Sequence, residues 1–203
     1  MLSFAAYLNQ NNPPVAEGRP IIETRTARLR LVAGTLELAV AELEDRVLFS
    51  SVIHADVSAE WPPETLRDAL PVFRDLHQTH PDWAGWLGWY AIAMTEARPV
   101  LCGSVGFKGP PDDAGMVEIG YSLLPSYRHA GLASEMVAGL IGWACRNPRV
   151  RSVEAETTPD NLRSIRVLER NHFEPAGEGI EPGSVRFRRN VARSIDLNRD
   201  PGV

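Results

Sequence analysis

The chain has 203 residues, 44% hydrophobic and 23% charged, with a formal net charge of −5. That length supports one domain with a sizeable core, and the composition is that of an ordinary globular protein. The acidic balance argues against generic nucleic-acid binding, and no apolar run reaches membrane length, so neither nucleic acid nor membrane is an expected partner.

Residues 1–20 lack the basic n-region of a secretory signal and read as an irregular N-terminal extension, which makes a cytoplasmic placement the expectation. A domain over residues 21–190 and a C-terminal tail over 191–203 follow. Residues 27–32 alternate as a first strand, and residues 34–44 have helical period. A second helix is predicted over 63–79, with Pro63 suited to its first turn. Trp61 precedes it in a Trp-Pro-Pro turn. Two readings stand: an exposed Trp61 lidding a substrate, or a hydrophobic staple at a helix start. Residues 87–94 and 100–107 read as strands with Gly/Pro punctuation. Trp83, Trp86, Trp89 and Tyr90 suit core packing or the wall of an acceptor pocket. A Gly/Pro-rich turn at 109–115 leads to an alternating strand from Met116 to Leu123 that carries Glu118.

Beyond that strand come Pro125, then Arg128-His129-Ala130-Gly131-Leu132-Ala133-Ser134. Next is a helix with Ala133, Val137, Leu140, Ile141 and Ala144 on one face. A strand feeding a small-residue turn that opens a helix is how a chain builds an anion cradle from main-chain N–H groups. Gly131 has no Cβ and lets the backbone approach a ligand. The first N–H groups of the helix lack internal partners and carry the positive end of its dipole. Arg128 and His129 stand at the mouth, and Glu118 is a carboxylate on the feeding strand.

A strand over 150–157 follows, then a helix capped by Asp160 or Asn161. Leu162, Ile165 and Leu168 or Val167 give it an apolar side, and Asn161, Ser164 and Leu168 share another face. Asn171 is read as the helix end, where the left-handed conformation is tolerated. Arg163, Arg166 and Arg170 form a stripe, either a solvated face or a phosphate contact. Two closing strands are expected near 173–177 and 184–189. Cys102 and Cys145 read as buried spectators, and no metal site is expected. Strands first, then alternating helix and strand, suggest a mixed sheet covered by helices.

The Glu-Ile-Gly-Tyr strand, the Arg-x-x-Gly-x-Ala turn and the later Asn-x-x-Ser-x-x-Val-Leu-Glu-Arg-x-x-Phe helix together resemble the GNAT superfamily of acyl-CoA N-acyltransferases. Within it they are most similar to the ribosomal-protein N-terminal acetyltransferase branch. The resemblance covers residues 21–189. It implies an α/β (α+β) fold with a mixed, mostly antiparallel sheet of about seven strands, flanked by helices, with a splayed central pair. It also implies acetyl transfer from acetyl-CoA, as cosubstrate and without a metal, to a primary amine on a protein N-terminus or small molecule, by a monomer or homodimer. Residues 128–134 would hold the CoA pyrophosphate. Leu123 would pair with the pantetheine arm, and Asn161 and Ser164 would face it. Glu118 occupies the place of a general base near the acceptor. Where many relatives keep a Tyr acid in the later helix, this chain has Leu168. Ser164, Tyr121 or water then protonates the thiolate, or the thiolate leaves unassisted, which a thiol pKa of about 8.5 tolerates. That departure feeds the alternative of a CoA-binding sensor or assembly protein. Where the usual turn keeps Gly, the chain has His129.

Overall fold

In the computed structural model, which describes residues 21–94 and 97–191, eight strands form one sheet. They are β1 (Glu23–Arg25), β2 (Leu29–Ala33), β3 (Gly88–Met94), β4 (Pro99–Phe107), β5 (Met116–Leu123), β6 (Ser152–Thr157), β7 (Glu174–Glu178) and β8 (Val185–Asn190). Among the described residues six α-helices accompany them: α1 (Leu36–Glu44), α2 (Arg46–Ile53), α3 (Glu64–Arg67), α4 (Leu70–Thr79), α5 (Leu132–Ala144) and α6 (Leu162–Arg170). The strand order is β1-β2-β3-β4-β5-β6-β8-β7, and only the β5–β6 pair is parallel. The extension expected over 1–20 and, apart from Val191, the tail expected over 191–203 lie outside the described residues.

Two apolar layers sandwich the sheet. On one face Met136, Val137, Leu140 and Ile141 of α5 and Leu168 of α6 pack on Leu31, Trp89, Val105, Val117 and Ile119. On the other, Leu38, Ala41, Phe49 and Leu70 cover Val32, Tyr90, Ile92 and Leu101. Trp86, Trp89, Phe107 and Trp143 form an aromatic cluster in the first layer, with ring centroids 4.9–6.5 Å apart. The core reading therefore holds for Trp86 and Trp89. Tyr90 points to the opposite layer, and Trp83 stacks on His80.

Several expectations shift. Strand β1 and helix α2 were not foreseen. The former is three residues long, and the latter is entered through Asp45, whose side chain accepts from the N–H groups of Val47 and Leu48. The helix expected over 63–79 divides into α3 and α4, because Pro71 has no N–H to continue the ladder and suits the first turn of a new helix. The left-handed residue after α6 is His172 (φ 60°), while Asn171 stays at φ −98°. Asn171 instead spends its amide on the carbonyls of Ser134 and Val167. Cys102 is buried, but Cys145 is exposed, since it lies just past the last turn of α5.

The parallel pairing is short. It joins Met116 to Ser152, Val117 to Val153 and Glu118 to Glu154, then stops. Beyond Glu118, β5 stays on β4 as far as Leu123, and β6 stays on β8 as far as Thr157. The sheet is thus splayed in its middle, with the cleft opening from Glu118 toward the turn that follows β5.

Candidate active site

Two hydrogen bonds fix the phase of β5. Leu124 N–H donates to the Cys102 carbonyl (2.9 Å), and Lys108 N–H donates to that of Glu118 (3.1 Å). Antiparallel ladders alternate, so the main-chain groups of even-numbered β5 residues meet β4 while those of Tyr121 and Leu123 turn toward the splay. An extended ligand in the cleft therefore finds unpaired strand groups on its β5 wall. The Nε of Arg128 donates to the Leu123 carbonyl (3.2 Å), which fastens the turn to the strand end.

The turn itself is built by two left-handed residues, His129 (φ 67°) and Gly131 (φ 77°), which cap the start of α5. His129 stands where the resembled turn keeps Gly, in a conformation that Gly takes without strain. Among the described residues, none accepts a hydrogen bond from the N–H groups of residues 129–134; the first to bond within the helix is Glu135, to Gly131. The Ser134 Oγ is likewise buried without a partner. A Cβ added at Gly131 would meet only the Arg28 guanidinium, at 3.7 Å, so the concavity is open. Unclaimed donors, an orphaned hydroxyl and open space fit an anionic ligand of pyrophosphate shape.

Side chains divide by parity. Tyr121 points to the α5/α6 layer, where its hydroxyl lies 2.9 Å from Ser164 Oγ and donates to the Ser164 carbonyl (3.2 Å). Burial pushes the Tyr121 phenol up to about 12, against a smaller opposing pull from Ser164, so it keeps its proton at neutral pH. Leu168 is fully buried in the core and presents nothing to the cleft. The Asn161 side chain accepts from Ser164 N–H as the helix cap (3.2 Å).

Glu118 points to the opposite face of the sheet, at the base of the splay. Its carboxylate pairs with the Lys108 ammonium, whose side chain is 67% exposed. Neighbouring Gly120 would meet no atom within 4 Å if given a Cβ, so this face is open beside Glu118. Across the parallel pair lies buried Glu154, held by Arg188 Nε. Two residues on, Glu156 accepts from Ile180 N–H and the Ser184 hydroxyl and so fastens the β7–β8 loop to the cleft's lip.

Of the two readings of Trp61, the exposed lid is the one the structure does not show: the residue is buried, and its indole N–H finds the Glu42 carboxylate (2.7 Å), which also accepts from Tyr90 (2.6 Å). Its neighbour Glu60 accepts from Ser126 in the turn after β5 (2.9 Å), so the Trp61 loop leans on that turn rather than standing free. Sequence reasoning missed Lys108, Glu154 and the ties of Glu60 and Glu156, whose partners are remote in the chain. One signal was available: Glu135 is an acid in the first turn of a helix read as an anion site.

Known proteins place the whole assembly. A family model of the acetyltransferase (GNAT) domain matches residues 35–174. The chain is 30% identical over 153 residues to the uncharacterized N-acetyltransferase YjdG of Bacillus subtilis, covering 75% of this chain and 89% of that one. Its fold is similar to that of the Salmonella typhimurium acetyltransferase that modifies the N-terminal serine of a 50S ribosomal subunit protein (TM-score 0.53, 20% identity, 82% of this chain and 97% of that one). It is also similar to the microcin self-immunity acetyltransferase MccE in complex with acetyl-CoA and AMP (TM-score 0.56, 15% identity, 82% and 94%). With the splayed sheet and the turn at 128–134 already in view, these matches make the chain a member of the GNAT acetyltransferase family, and an acyltransferase by activity.

Proposed function

We propose that the protein transfers an acetyl group from acetyl-CoA to a primary amine by direct attack. The observation that carries this reading is the run of unclaimed N–H groups at 129–134, set at the open end of a splay whose base holds Glu118. Residues 128–134 cradle the pyrophosphate, with Ser134 Oγ as a further donor. Tyr121 and Leu123 offer strand groups to the pantetheine arm, in the manner of an added strand. The acetyl thioester is the electrophile that acetyl-CoA supplies.

The chain's own groups do the rest. An alkylammonium must lose its proton before it can attack, and Glu118 is the carboxylate on the open face that accepts it, directly or through water. The Lys108 ammonium already sits on Glu118 and marks where an acceptor ammonium docks. Leu123 N–H, unclaimed by β4, meets the negative charge that develops on the thioester oxygen. On the other face the Tyr121–Ser164 pair supplies the leaving sulfur with a proton, the task for which Leu168 is unfit. Base and acid thus stand on opposite faces of β5, and the reactants meet across the strand's open side. No covalent enzyme intermediate is needed, since proximity does much of the work. The MccE complex with acetyl-CoA supports the donor, and the ribosomal-protein acetyltransferase supports an amine acceptor.

The test is thiol release from acetyl-CoA across a panel of peptides with free N-termini, polyamines and amino sugars. Release that depends on a primary amine is expected, together with thermal stabilisation by acetyl-CoA. Stabilisation without release for any amine would replace the enzyme with the binding-protein alternative. No helix of the described residues is long and apolar enough to cross a membrane, and we place the reaction in the cytoplasm.

A further inference from the structure

A carboxylate in the first turn of α5 is out of place beside a site for a pyrophosphate. Glu135 lies four residues past Gly131, and left alone it would repel the ligand that the helix start attracts. The structure removes it from that role. Its Oε1 accepts from Thr26 Oγ1 (2.6 Å) and from Arg28 N–H (2.7 Å), and its Oε2 accepts from Arg28 Nε (2.7 Å), with Nη2 at the same distance. The donors come from the β1–β2 turn, more than a hundred residues earlier in the chain; they occupy both carboxylate oxygens, and the Arg28 charge balances Glu135.

Arg28 has a third commitment. Its Nη1 donates to the Ala130 carbonyl (2.9 Å). Ala130 C=O and Gly131 N–H belong to one trans peptide plane, so they point in opposite directions. Drawing the carbonyl toward Arg28 turns the Gly131 N–H the other way, where it stays unclaimed. One guanidinium therefore neutralises the only acid of the first turn and sets the peptide that opens the cradle.

We propose that Arg28 is a positioning residue for the donor's pyrophosphate, acting through Glu135 and the Ala130–Gly131 peptide. The inference rests on reading residues 128–134 as the pyrophosphate cradle. A simple tether between the β1–β2 turn and α5 makes a different forecast, since it would affect every substrate alike.

The experiment compares acetyl-CoA with S-acetylpantetheine, a donor with the same thioester and no pyrophosphate. In the full-length protein, Arg28→Ala raises KM for acetyl-CoA by roughly 10- to 100-fold, the scale of one or two lost charge-assisted hydrogen bonds. It leaves kcat and the kinetics with S-acetylpantetheine close to wild type. Adding Glu135→Gln to Arg28→Ala restores part of the loss, because the unpaired charge near the phosphates is gone. Arg28→Lys keeps the charge without the fork and recovers only part of the affinity. It also serves as the working variant if Arg28→Ala does not fold. Equal losses with both donors would reduce Arg28 to a tether and overturn the proposal. If wild type itself handled the two donors equally, the cradle reading would fall first, and the proposal with it.

Discussion

The proposed cofactor side and the proposed acceptor side of this molecule are made from different materials. The cradle is main chain: one continuous segment, residues 128–134, presents N–H groups that the fold leaves unclaimed. The acceptor face is side chain: Lys108, Glu118, Glu154 and Arg188 arrive from β5, β6, β8 and the end of β4, and each is defined by its partner. A main-chain site binds what all members of a family share, because any sequence that keeps the turn keeps the donors. A side-chain site can change residue by residue, and in the proposed function it is where the choice of amine would reside.

The largest test of this division is Glu118→Gln. It keeps size and removes basicity, so turnover should fall by roughly 10²–10⁴-fold while acetyl-CoA affinity stays nearly constant. Near wild-type turnover of an identified amine would take the base role from Glu118 and leave deprotonation to solvent.

Gly131→Glu attacks the other side. A carboxylate at the cradle should weaken acetyl-CoA binding by about 100-fold or more, read by calorimetry. The left-handed backbone adds strain of about 1–2 kcal/mol, which a melting curve measures separately. Unchanged affinity would move the pyrophosphate elsewhere.

Lys108→Met is a gentler probe. Removing the ammonium that competes for Glu118 should lower the amine KM by roughly 2- to 5-fold, the worth of an exposed ion pair, with acetyl-CoA kinetics unmoved. A higher amine KM would make Lys108 part of the acceptor site rather than its occupant.

The smallest effects are in stability against pH, and two carboxylates, Glu42 and Glu135, should run in opposite directions. Burial raises the Glu42 carboxyl, against the opposing hydrogen bonds from Tyr90 and Trp61. Its contribution is fully present below the ordinary carboxylate range and is lost as pH rises through the raised value. For Glu135, partial burial pushes up, but the hydrogen bonds from Thr26 and Arg28 and the Arg28 charge together hold it below the usual range. Its contribution is present above the ordinary value and is lost as pH falls through the lowered one. Melting temperature followed between pH 3 and pH 8 on the order of a few degrees should therefore lose its acid limb in Glu135→Gln and gain relative stability toward neutral pH in Glu42→Gln. Parallel behaviour of the two variants would contradict the assigned environments.

What the sequence made legible follows the same line. The strand carrying Glu118, the turn at 128–134 and the Asn161 cap were readable because each is local: a few consecutive residues fix their own backbone. The splay followed from the family resemblance, and the structure locates its start at Glu118 and Glu154. Partnerships across the chain were not readable. The two readings of Trp61 stayed open because its acceptor, Glu42, lies far away in α1. Nothing near Glu135 announces Arg28. Asn171 does end α6 as its C-cap, while the left-handed conformation falls on His172 and the Asn171 amide reaches Ser134.

The phase of β5 has a consequence for amide hydrogen exchange. Beyond Glu118, neighbouring residues of one strand live in different worlds: Gly120 and Ser122 turn their amides to β4, while Tyr121 and Leu123 turn theirs to the splay. In the protein alone, deuterium should enter at Tyr121 and Leu123 well before Gly120 and Ser122, a protection pattern alternating residue by residue along a single strand. A pantetheine arm lying in the cleft as a surrogate strand would slow the fast pair and leave the slow pair as it was. The strand thereby carries its own built-in ruler of occupancy, readable without any turnover at all.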